Sequence, residues 1–166
     1  MRTASLLLAL AVSLTSCGGA ADPASLTDSG AKALGSANYA EAAAEFDAAL
    51  AAMAGDTNHD QYLRAKWGII EAGAHVAPDR AVTDFLSFAK ANSATMSEKD
   101  YSKVGSWLTS AKKFTQAITV VDAGVQAYGE SPTLISQLKD IEKKAKAAGD
   151  TDAAGALSGL GYLGDD

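Results

Sequence analysis

Of 166 residues, 20 are acidic and 14 basic, leaving a formal charge of −6. That balance argues against a nucleic acid as partner, because phosphate binding needs clustered positive surface, and against docking to anionic lipid by charge alone. A single cysteine excludes an internal disulfide, so a hydrophobic core must carry stability, and the length suffices for one domain.

Met1 and Arg2 precede an apolar run over residues 6–14, and the small residues Thr15 and Ser16 stand before Cys17. A basic start, a short apolar stretch and a small-residue cut point describe a secretory signal over residues 1–16. The run is too short to span a bilayer, which takes about 20 residues. Leu14-Thr15-Ser16-Cys17 resembles the bacterial lipobox, in which an aliphatic and two small residues precede a cysteine. The resemblance implies that the Cys17 thiol is lipidated and that Cys17 becomes the mature N-terminus, held to a membrane of the cell envelope by its acyl groups. An ordinary cleaved signal with an unmodified cysteine is the alternative. Gly18 in place of an aspartate favours the periplasmic face of an outer membrane over the inner membrane or the cell surface. Residues 17–25 read as a small-residue tether.

The remaining chain is rich in alanine, holds only three prolines, and has no run alternating apolar with polar residues, so the expected fold is all-α. Apolar residues recur at helical spacing: Leu63, Trp67 and Ile70; Val82, Phe85, Leu86 and Ala89; Tyr101, Val104 and Leu108; Ala117, Val121 and Val125; Leu134, Leu138, Ile141 and Ala145. Each stripe is one wide apolar face that must pack on a neighbouring helix. Asp79 and Ser131 lie near helix starts, and Ser131-Pro132 combines a cap with a first-turn proline.

A pattern also repeats. Gly30 is followed by Tyr39, Ala42, Phe46, Ala49 and Leu50; Gly105 by Phe114, Ala117, Val121, Gly124 and Val125. Between them, Gly68 is followed by Ala81, Phe85, Phe88 and Ala89, with one extra residue in the turn near Pro78. This resembles the tetratricopeptide repeat, a helix-turn-helix unit of about 34 residues. The resemblance implies a helical-hairpin solenoid of about three repeats plus a capping helix over residues 26–148. Unit one departs from it with Ala24 and Ser29 at positions that prefer bulk, and extra loop falls at residues 56–60 and 93–97. Lys139, Lys143, Lys144 and Lys146 read as the solvated face of the capping helix, where cations suit the C-terminal end of the dipole. Residues 149–166 form a cap or tail, with a short helix expected over 151–157; the ending around Leu160-Gly161-Tyr162 resembles a Leu-Gly-Tyr tail of some exported bacterial repeat proteins.

Chemistry is sparse. Gly159-Leu160-Gly161-Tyr162-Leu163-Gly164 spells a dinucleotide-type string but lacks the strand and helix that such a site needs. Residues 56–60 begin like a calcium loop, yet Gln61 stands where glycine is required and Trp67 where a bidentate acid is. His59 and His75 have no second ligand at metal spacing, and no nucleophile elbow or phosphate loop occurs. No enzyme activity, metal or cofactor is expected.

The expected role is a non-catalytic scaffold for a protein or peptide. In the repeat family the first helix of each unit lines a groove, which places Tyr62, Ala65, Lys66 and Ile69 there from unit two. Lys99, Ser102, Lys103, Ser106 and Thr109 join them from unit three, and Thr27, Ala31 and Leu34 from unit one. Some members clamp a terminal carboxylate on these helices; Lys99 and Lys103 match that pattern, Thr27 and Ala31 do not. An accessory subunit of an envelope assembly, secretion or enzyme complex, or a small-ligand carrier, remains the alternative.

Overall fold

A computed structural model describes residues 22–129, 131–158 and 160. The leader, Cys17 and residues 161–166 lie outside them. The described residues are all-α, with eight helices: α1 Pro23–Gly35, α2 Tyr39–Ala52, α3 Tyr62–Val76, α4 Pro78–Ala91, α5 Glu98–Ser110, α6 Phe114–Tyr128, α7 Pro132–Ala148 and α8 Thr151–Ser158. Among the described residues, substantial contacts join only helices one or two places apart in the chain, and of the consecutive pairs all but α4 and α5 make them.

Helix α1 begins three residues inside the expected tether. Pro23 pre-sets the first turn, and the Asp22 carboxylate accepts from the amides of Ala24 and Ser25. The α1–α2 and α5–α6 turns are built alike. Ala37 and Lys112 occupy the left-handed region at φ 57° and 58°. The next amide then reaches back, from Asn38 to the Ala33 carbonyl at 2.9 Å and from Lys113 to the Leu108 carbonyl at 2.8 Å.

The α3–α4 connection differs. Proline disfavours the α conformation in the residue before it, and Ala77 sits extended at φ −146°, ψ 65° ahead of Pro78. The extra residue expected in this turn is taken up by α3, which has 15 residues against 13 in α1 and α5. Its close approach to α4 falls at Gly73, where an added Cβ would lie 3.1 Å from that of Ala81. Gly68 faces the ring of Phe46 in the preceding hairpin.

Phe46, Phe85, Leu108, Leu134, Leu138 and Ile141 are fully buried along the chain of helices. Edge-on aromatic contacts carry the core from the second hairpin into the third, Phe85 to Tyr101 at 5.0 Å, and across the third, Tyr101 to Tyr128 at 5.7 Å between ring centroids. Leu63 departs from its predicted stripe and is 56% exposed, because the first turn of α3 borders an open cleft. Ser131 accepts from the Leu134 amide, as expected of a cap. Helix α7 does not end the array: Gly149 at φ 76° turns the chain, and α8 buries Ala153 and Leu157 against its neighbours. Lys139, Lys143, Lys144 and Lys146 are exposed, with Lys144 paired to Asp140 and Lys146 to Glu142. No described helix is long and apolar enough to cross a membrane.

Candidate functional site

The predicted groove residues do not share one cleft. Ser106 lines a cleft of about 750 Å³ between α5 and α7, together with Ser102, Thr109, Thr133, Ser136 and Gln137. Several polar side chains along it are hydrogen-bonded. The Ser106 hydroxyl donates to the Ser102 carbonyl at 2.9 Å, and that of Thr109 to the Gly105 carbonyl at 2.7 Å. Gln137 spans the cleft floor, its Nε2 donating to the Ser102 carbonyl at 2.9 Å and to Ser106 Oγ at 3.1 Å. With its proton turned onto the helix and one lone pair taken by Gln137, the exposed Ser106 oxygen keeps one further acceptor site, whereas Thr109 is buried. Lys112 and Lys144 supply donors at the same cleft.

Tyr62 and Lys66 line a second opening, about 870 Å³, between the start of α3 and the end of α4. Leu63, Trp67, Phe88 and Met96 line it with them. Lys66 is only 18% exposed and lies 3.7 Å from the Asp84 carboxylate, so its charge is locally answered.

Lys103 belongs to neither cleft. Its ammonium sits 4.6 Å from the Trp67 ring centroid and 4.9 Å from that of Trp107, within cation–π range of both. Glu71 stands on the same side. Burial raises its carboxyl above the ordinary range, and the Lys103 charge pulls it part of the way back. Lys99 is exposed and lines neither cleft.

Ile69 is 5% exposed and is a core residue rather than a groove residue. Ala65 and Thr27, placed in the groove by the repeat pattern, are also buried, Thr27 donating to the Pro23 carbonyl. The reason for α3 is its neighbours: it packs against α1, α2, α4 and α5, which cover the face carrying Ala65 and Ile69. The six candidates therefore do not form one continuous surface. Trp107 and Glu71 were not singled out from sequence. Their signal was the four-residue spacing of Lys103 from Trp107 and of Trp67 from Glu71, which sets each pair on one helix face.

His75 stacks on Tyr39 with centroids 3.6 Å apart and planes 2° from parallel, and burial lowers its pKa. His59 lies in the loop after α2, where Nδ1 accepts from the Gln61 amide at 3.2 Å. Among the described residues no group of three or more His, Cys, Asp or Glu side chains gathers as a metal site would need. No family model, curated protein or solved structure matches the chain.

Proposed function

We propose that this chain is a lipid-anchored, non-catalytic scaffold of the cell envelope, tethered through Cys17, whose tetratricopeptide-like hairpins hold an extended peptide between α5 and α7. The observation that carries the reading is the run of polar side chains along that cleft, Ser102, Ser106, Ser110, Thr133 and Ser136, with the exposed Ser106 oxygen keeping one lone pair free. An extended peptide has unpaired amide donors along its length, and main-chain hydrogen bonds supply its affinity. Serial contacts between hairpins support the repeat reading, since each solenoid unit touches only its neighbours. A periplasm-facing outer membrane is the proposed location.

A second reading, a small-ligand carrier, is favoured by the apolar opening at Tyr62, Leu63, Trp67 and Phe88. Photo-crosslinking separates the two. A photoreactive residue at Ser136 should capture one discrete peptide or protein from intact envelopes, and one at Lys90, on the exposed side of α4, should not. Equal capture from both positions, or none from Ser136 with apolar ligand retained at Tyr62, overturns the peptide reading.

A further inference from the structure

The corner formed by Trp67, Glu71 and Trp107 has the makings of a cation receptor. Two indoles stand 6.2 Å apart at 68°, presenting two negative ring faces to one point. Glu71, half-buried, lies one turn along α3 from Trp67 on the same helix face, near enough for the Lys103 charge to offset part of the rise that burial imposes on its carboxyl. An organic cation placed there meets two ring quadrupoles and one anion, in a protein whose overall charge of −6 draws cations toward it. In the free protein the point is filled by Lys103, whose ammonium shares both rings. Lys103 is exposed and its tether is a flexible four-carbon stem, so it can leave without moving α5.

We propose that this corner is a binding site for an organic ammonium, with Lys103 as a tethered occupant that an incoming alkylammonium or a partner's lysine displaces. The ligand chemistry is opposite in sign to the acidic partner that the lysines at 66, 99 and 103 suggest as a row. The geometry explains the reversal: Asp84 answers Lys66, and the indoles and Glu71 answer Lys103. This inference does not rest on the peptide reading of the α5–α7 cleft.

Both tryptophans of the chain stand in this corner, so intrinsic fluorescence reports on it directly. Tetramethylammonium chloride is titrated against wild type, Lys103→Ala and Lys103→Arg, with sodium chloride at matched ionic strength as the blank. Lys103→Ala should show a saturable emission change with a midpoint at least about ten-fold lower than wild type or Lys103→Arg, because the tethered competitor is gone. Adding Glu71→Gln to Lys103→Ala should weaken it again. A second arm with Nα-acetyl-lysine amide distinguishes a peptide's lysine from a free alkylammonium by which binds more tightly. A non-saturating response in Lys103→Ala, or the same midpoint in all three proteins, overturns the proposal. If Lys103→Ala is unfolded at assay temperature, Lys103→Gln, which keeps most of the stem without the charge, takes its place under the same criteria.

Discussion

The ring of Phe46 occupies the space that Gly68 leaves by having no side chain, and this contact binds the first hairpin to the second. Phe46 is fully buried and also lies 2.9 Å from where a Cβ on Gly30 would be. It has no room to retreat. Gly68→Ala should therefore destabilise the protein by about 1–3 kcal/mol through overpacking, against a helix-propensity gain of up to ~1 kcal/mol. Phe46→Leu in the same chain should recover part of that loss. A double-mutant cycle from urea melts measures the coupling, and additive effects would place the ring elsewhere.

Gly105 makes the corresponding contact inside the third hairpin, where an added Cβ would collide with Val121 and approach Gln137 Nε2 at 3.0 Å. Gly105→Leu should cost on the order of 1–3 kcal/mol. A raised melting temperature would show that the α5–α6 interface accepts bulk.

Ala37 and Lys112 hold the left-handed conformation without being glycine. The steric penalty there is about 1–2 kcal/mol, part of which glycine gives back through the entropy of the unfolded chain. Ala37→Gly and Lys112→Gly should each stabilise, by roughly 0.5–1 kcal/mol. Ala77→Gly should not, because Ala77 is extended at negative φ. Chemical denaturation of the three variants checks both halves of the expectation.

His75 is held below its usual pKa by burial. The unfolded chain then binds a proton more readily than the folded one between the ordinary value, about 6.5, and the lowered folded value. Stability from this group is complete above that ordinary value and is lost as pH falls through the window. His75→Gln should flatten the stability profile between neutral and mildly acidic pH. An unchanged slope would show that the Tyr39 stack tolerates imidazolium.

Cys17→Ala should leave the precursor uncleaved or release the mature protein to the aqueous phase. Detergent-phase partitioning identical to wild type would remove the lipid anchor from the proposal.

How far the sequence could be read depended on whether the governing interaction was local. Helical stripes, the Ser131-Pro132 cap and the short helix after Gly149 were legible because periodicity and capping are properties of neighbouring residues. The extra residue of unit two falls at the end of α3 rather than in the turn, because a repeat template does not say which side of Pro78 takes it. Ile69 was assigned to a groove because spacing along one helix cannot report that four other helices surround it. The indole pair at Lys103 needed two helices, α3 and α5, brought side by side.

Among the described residues substantial contacts reach no farther than two helices along the chain, and α1 makes its own with α2 and α3. A pull applied at the N-terminal end meets those two partners and nothing beyond them. Load on that end is borne by the first hairpin and by the Phe46 wedge, while α5 to α8 feel it only after these have given way. Resistance to extension is therefore set locally, next to the point of pull, and the distal clefts stay intact under tension that has already opened the proximal end.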